Sequence, residues 1–319
     1  MWHFIFGLIL LSAGLHSVAE AVSADAWQLL ERSAHAAREL NYEGQFRYIN
    51  GKHARTVDTT HMNYGGNEVA RNIVLDKGHR EVYSQGADIV IIQPTNKKVV
   101  IKRRRGQNLF PAMLPTDLSG IKQQYKAVLA GTEFVAGRET HIVELLPSDA
   151  YRYRYKVWTD TKFGLILRMT VLNDENKALE QVYFNKLSML SSQNLDWFQP
   201  KIEMGKNYVT EQAKPIKHVA NDLMITQLPV GYREVDHIQR VVDRDNTVVD
   251  QFIFSDGIGS VSVFIEPLIK GKRLKKGYLL VGSTNICAEV IKGRQVIVVG
   301  EVPAVTVKSI AKAVSLSAR

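Results

Sequence analysis

Two loops concentrate positive charge in this chain. Lys102-Arg103-Arg104-Arg105 stands at the centre of VVIKRRRGQNLFPAML, which begins at Val99; Lys270, Lys272, Arg273, Lys275 and Lys276 crowd KGKRLKKG at 270–277. Guanidinium and ammonium groups bind phosphate and carboxylate through charge-assisted hydrogen bonds. Three kinds of partner suit such loops: nucleic acid, anionic lipid, or an acidic protein segment. Beside the first cluster, Leu109-Phe110-Pro111 is an apolar segment that could follow an acyl chain inward. The net charge of +9 agrees with an acidic partner without choosing among the three.

The residue types that carry catalysis do not form a site. The histidines outside the first residues lie singly, with no H-x-H or H-x-x-x-H pair of the kind zinc sites usually show. No G-x-S-x-G elbow supports a serine nucleophile. Gly257-Ile258-Gly259 lies between two strand patterns and lacks the third glycine of a dinucleotide loop; Gly271–Gly277 does not end in G-K-[ST]. Asp174 and Glu175 fall in a turn signal, where solvation accounts for them. The expectation is a binding protein with no catalytic residue, metal or cofactor.

The start of the chain points to a compartment. MWHFIFGLILLSAGLHSVAEAVSADAW has an apolar run from Phe4 to Leu15 followed by small residues, the pattern of a cleaved secretory leader. Ser17-Val18-Ala19, Ala19-Glu20-Ala21 and Val22-Ser23-Ala24 all fit the cleavage rule. The run is short of the ~18–20 apolar residues of a spanning helix. The leader lacks a Lys or Arg at its start, which leaves an uncleaved anchor or a buried helix as the alternative. Export removes nucleic acid as a partner. Cys287, the single cysteine, cannot close an intramolecular disulfide and reads as a buried structural thiol.

The elements that must position these loops are mostly strands. Asp25 reads as the N-cap of an amphipathic helix with Trp27, Leu30, Ala34, Ala37 and Leu40 on one stripe. Strand patterns then flank Asn50-Gly51, a strong hairpin signal, and continue through DIVII and KVVIK, so that Lys102–Arg105 ends a strand and enters a loop. LPTDLSGIKQQYKAV interrupts them with a short helix. In YRYRYKVW, Tyr151, Tyr153, Tyr155 and Val157 share one face, opposite Arg152, Arg154 and Lys156. Residues 193–220 read as an extended linker. Beyond it, strands around the Asp256-Gly257 turn and a final helix opened by Pro303 make a small α+β unit.

The expected architecture is mainly β with α. A leader at 1–21 precedes a large half-open antiparallel β-barrel at 22–192, with helices packed on it. The linker at 193–220 and a small α+β domain at 221–319 complete the chain. A curled sheet offers a concave apolar face. Phe110, Tyr151, Tyr153 and Tyr155, or their neighbours Trp158, Leu165 and Leu167, are the candidates for its lining.

Four stretches, LNYEGQFRYI, KVWTDTKFGLILRMTVLNDENKALEQ, FIFSDGIGSVSVFIEP and IVVGEVPAVTVKSIAKAV, resemble the MucB/RseB family of periplasmic sigma-E regulators. The likeness spans essentially the whole chain. It implies a large domain similar to the lipoprotein carriers LolA and LolB, and a small domain that helps hold the partner. It further implies binding to the periplasmic part of a membrane anti-sigma factor (RseA or MucA), which is thereby shielded from site-1 proteolysis. Lipopolysaccharide or mislocalised lipoprotein would release it. Homo-oligomers are implied as well. The family brings no catalytic residues. A periplasmic lipid or lipoprotein carrier of the LolA/LolB type is the alternative, against which the small domain argues.

Overall fold

A computed structural model describes residues 13–76, 80–86, 88–93, 98–103, 109–192, 194–199, 209–212, 223–225, 227–242, 247–268 and 276–316. Helix α1 runs without a break over Ala13–Glu39. Asp25, expected as an N-cap, therefore lies inside the helix. The reason is local: nothing in AVSADAW breaks a helix, so the turns on either side of Asp25 join. No helix among the described residues is long and apolar enough to cross a membrane.

The large domain is one sheet of twelve strands in the order β12-β6-β5-β4-β3-β2-β1-β11-β10-β9-β8-β7. Its strands are β1 (Tyr42–Asn50), β2 (His53–Tyr64), β3 (Asn67–Val74), β4 (Arg80–Gln85), β5 (Asp88–Gln93), β6 (Lys98–Arg103), β7 (Tyr125–Val135), β8 (Arg138–Pro147), β9 (Arg154–Asp160), β10 (Ile166–Leu172), β11 (Ala178–Met189) and β12 (Val209–Gln212). The ends of the sheet, β12 and β7, do not pair, so the barrel is half-open. Every pairing is antiparallel except β12 with β6, where Val209–Gln212 runs parallel to Lys98–Ile101. The expected linker thus contributes a strand. Its four residues carry no local sign of this, because a parallel partner far away in sequence needs no hairpin.

Helices α1 and α2 (Ser119–Gln124) pack on the sheet. Ala26, Leu30, Ala34 and Ala37 recur at helical spacing and are all 0–1% exposed, so small residues bring α1 close to the strands. They join Leu145, Val157, Leu165, Ile166 and Leu167 in the main core. Each fully buried Leu or Ile there stabilises by roughly 1.5–3 kcal/mol.

The small domain is a six-stranded antiparallel sheet in the order β14-β15-β16-β19-β18-β17. Its strands are β14 (Arg233–Val242), β15 (Thr247–Ser255), β16 (Ser260–Pro267), β17 (Gly277–Val281), β18 (Thr284–Ile291) and β19 (Arg294–Gly300). Helix α3 (Ala304–Ala313), entered at Pro303, lies on β18 and β19. Val307, Ile310 and Ala311 on α3 meet Phe252, Phe254, Val263, Ile265 and Val298 in a second core. A short ladder of β13 (Leu223–Ile225) with β20 (Val314–Leu316) pairs the beginning of this domain with its end.

Candidate functional site: an interdomain cleft

The boundary between the domains is held by a polar cluster around Arg152. Its side chain is withdrawn from water, with Nε 2.9 Å from Asp256 Oδ2. This contact is an ion pair rather than an aligned hydrogen bond. The guanidinium also donates to Asp149 and to the Val230 carbonyl, and its carbon lies 5.0 Å from the centre of the Tyr232 ring. Asp256 accepts through its other oxygen from the Ile258 and Gly259 amides, at 3.0 and 2.8 Å. That turn closes the β15–β16 hairpin. Burial pushes the Asp256 carboxyl upward, against the pull of those amides and of Arg152. Gly231, at φ +86°, passes so close that a Cβ there would lie 2.6 Å from Arg152 Nη2.

A second seam lies at the tip of the β1–β2 hairpin. Asn50 donates to Glu180 Oε2 at 3.1 Å and to Tyr48 Oη at 3.2 Å, and the Ser283 hydroxyl of the small domain donates to the same Glu180 oxygen. Further along, Asn285 donates to Tyr153 Oη at 2.8 Å. The Tyr151 carbonyl accepts from Thr306 Oγ1 at 2.7 Å and from Tyr232 Oη at 3.2 Å.

Between these seams the concave face of the sheet and the rim of the small domain enclose a cleft of about 320 Å³. Its apolar wall comes from Phe46, Val57, Val74, Val82, Phe110, Met113 and Val182. Alternation along β1, β2, β3, β4 and β11 turns Phe46, Val57, Val74, Val82 and Val182 to one side, and the segment before α2 adds Phe110 and Met113. Phe110 is anchored by ring contacts to Phe46 and Phe184, with centroids 5.2 and 5.0 Å apart. Ile258, Ser260 and Glu301 supply the wall from the small domain.

The cleft carries charge of both signs. Arg55 and Arg80 line it, and burial together with the Arg55 charge lowers the Arg80 guanidinium from its ordinary value. Among the described residues no ion pair engages either arginine. On the small-domain rim, Glu301 is exposed at the surface, yet partial desolvation and the nearby Glu180 carboxylate raise it to about 7. Burial raises Glu180 too, opposed by hydrogen bonds from Ser283, Tyr48 and Asn50. An apolar wall with two cations outside any described ion pair suits an amphiphile bearing phosphate or carboxylate.

The residues singled out from sequence divide sharply. Phe110 lines the cleft. Tyr155, Trp158, Leu165 and Leu167 are buried in the main core instead, where Trp158 Nε1 donates to Glu133 at 2.7 Å. Tyr151 packs on the small domain's core and Tyr153 reaches Asn285, so both belong to the boundary. The Tyr-Arg alternation hid this, because β9 begins only at Arg154. Arg152, expected on a polar face, is instead buried. Lys102 and Arg103 end β6. Lys276 is exposed beside β17. Arg104, Arg105, Lys270, Lys272, Arg273 and Lys275 lie outside the described residues. Arg55, Arg80, Glu180 and Glu301 escaped the sequence reading. Isolated charges within strands carry no signal until the sheet curls.

Comparison with known proteins bears on both domains. The family model described as MucB/RseB N-terminal domain matches residues 25–202, and that described as MucB/RseB C-terminal domain matches 217–315. The chain is 25% identical to the sigma-E factor regulatory protein RseB of Haemophilus influenzae, covering 97% of each chain. It is 27% identical to the sigma factor AlgU regulatory protein MucB of Pseudomonas aeruginosa, covering 95% of each. Against the solved MucA/MucB complex of P. aeruginosa the TM-score is 0.74 at 25% identity, covering 92% of this chain and 100% of that one. Spanned by the family's two domains from Asp25 to Ser315, the chain belongs to the MucB/RseB family.

Proposed function

We propose that this protein is a periplasmic negative regulator of the sigma-E envelope stress response. It binds the periplasmic segment of a membrane anti-sigma factor of the RseA/MucA kind and shields it from site-1 proteolysis. Support for the partner comes from family membership and from similarity to a MucB chain solved in complex with MucA. Support for regulation comes from one observation: the cleft is walled by both domains. An amphiphile that enters it contacts Ile258 and Glu301 as well as the sheet. Its binding energy is therefore linked to how the domains are docked, and through them to the partner. Lipopolysaccharide, with phosphates for Arg55 and Arg80 and acyl chains for the Phe46–Phe110 wall, is the releasing ligand in this reading; lipoprotein acyl chains are the other source. A homo-oligomer sensitive to salt or ligand completes it.

The test is release of a fluorescent anti-sigma periplasmic segment by purified lipopolysaccharide, followed by anisotropy. Wild type should release it, and the Arg55→Gln/Arg80→Gln protein should bind the segment normally but need at least tenfold more lipopolysaccharide. Equal release by both proteins removes the cleft from the mechanism. Capture of lipoproteins without any hold on the anti-sigma segment would instead identify a carrier.

A further inference from the structure

The β17 edge of the small domain is exposed along its whole length. Tyr278, Leu279, Leu280 and Val281 are 43%, 56%, 50% and 43% accessible, the longest run of consecutive exposed large apolar side chains among the described residues. Strand β17 stands last in its sheet, and its outer side pairs with no described strand. An apolar edge left open in this way is a template for a further strand.

The register says which backbone groups it offers. Val281 pairs with Thr284 across the two-residue turn Gly282-Ser283, with Leu279 opposite Ile286 and Gly277 opposite Ala288. In such a hairpin the residues flanking the turn, and every second residue from them, exchange hydrogen bonds inside the pair. The amides and carbonyls of Tyr278 and Leu280 therefore point outward.

The rim chooses the occupant. Lys276 from the strand's start and Lys308 and Lys312 from α3 line a groove of about 440 Å³ beside Tyr278, together with the single carboxylate Glu289. Lys308 Nζ lies 4.9 Å from the Tyr278 ring centre. A second copy of a chain with net charge +9 brings more of the same sign to this rim. An acidic segment brings the opposite sign. At its other end, β17 runs into the large domain, with Gly282 packed against Asn50 and Gly51, so an added strand would finish at the domain boundary.

We propose that β17 is a docking edge for an extended acidic protein segment, which adds as a seventh strand with its carboxylates toward Lys276, Lys308 and Lys312. Apolar side chains of the segment cover Leu279 and Val281 on the opposite face. This surface is separate from the amphiphile cleft, and its occupant is defined by chemistry alone.

The probe is a capped nine-residue peptide alternating Glu and Val, titrated into the full chain by fluorescence anisotropy. It should bind saturably, weaken with salt, and lose at least tenfold in affinity when its Glu residues are exchanged for Lys. N-methylation of residues of one parity should abolish binding while the other parity leaves it intact, because only one edge of an added strand pairs. Leu280→Pro removes an outward amide without touching the β18 ladder and should abolish binding; Leu280→Ala should retain it. Equal tolerance of both N-methylation patterns would overturn strand addition, whatever the Pro variant does. A peptide-insensitive dimer dissolved by Leu280→Pro in sedimentation would overturn the acidic occupant in favour of a second copy.

Discussion

Arg152 and Asp256 meet across the domain boundary, Nε 2.9 Å from Oδ2, with neither side chain in contact with water. Removing one partner of such a pair leaves the other charge buried and costs about 3–5 kcal/mol. Asp256→Asn keeps an oxygen for the Ile258 and Gly259 amides but removes the charge. Because Asp149 still pairs with Arg152, we predict a loss no larger than the lower end of that range, at most about 3 kcal/mol, read by urea denaturation, with the small domain losing its docking first. Stability equal to wild type would show that the pair is dispensable.

The neighbouring Glu180 and Glu301 carboxyls predict a dependence on pH. Desolvation and the Glu180 carboxylate raise Glu301 to about 7 in the folded protein, from an ordinary 4.5. Between those values the folded chain keeps a proton that the unfolded chain has released. Stability should therefore fall as pH rises from 4.5 to 7, and level off above. Arg55, Arg80, Tyr48 and Glu180 share the cleft with Glu301 and oppose or reinforce the effect according to sign. Thermal midpoints of wild type and Glu301→Gln, compared over this window, check it. The Gln variant should show a flatter profile, and parallel profiles would assign the slope to other groups.

Gly282 is the narrowest point of the second seam. At φ +59° it is left-handed, and a Cβ there would lie 1.4 Å from Asn50 Oδ1 and 3.1 Å from the Gly51 amide. A non-glycine residue in that region costs about 1–2 kcal/mol in backbone strain alone. Gly282→Ala should lose at least that much in urea denaturation. Asn50→Ala, in the same background, should recover part of it by clearing the clash. No recovery would mean that backbone strain is the whole effect.

Replacing Arg103, Arg104 and Arg105 by Gln should weaken lipopolysaccharide binding and flatten its salt dependence while the circular dichroism spectrum stays unchanged. Each exposed phosphate contact contributes on the order of 1 kcal/mol, so only the cluster together is decisive. Wild-type affinity and salt slope would mark these residues as a solvated loop end.

Much of this fold can be read in the chain. The Asn50-Gly51 turn joins β1 to β2, Asp256-Gly257 lies in the turn joining β15 to β16, and the Ala26–Ala37 stripe marks the buried side of α1. These are local signals, carried by turn chemistry and periodicity. The cleft is different. Val57, Val74 and Val82 come from three successive strands, and Ile258 and Glu301 come from the other domain. Their convergence depends on how far the sheet curls and where the small domain docks, and neither leaves a trace in local spacing. Tyr155 and Leu167 have the alternation of cavity residues, yet the helices fill that part of the sheet and turn them into core.

The ladder of β13 with β20 sets Leu223 opposite Leu316, so the polypeptide enters and leaves the small domain side by side. The domain is clasped shut at its own neck. Any event that undoes the Arg152 cluster, the Asn50 seam and the bonds of Asn285, Thr306 and Tyr232 to Tyr153 and Tyr151 therefore releases a finished body with its interior undisturbed. Mechanically, the protein resembles a latch: letting go costs the surfaces that touch, not the inside of the part released.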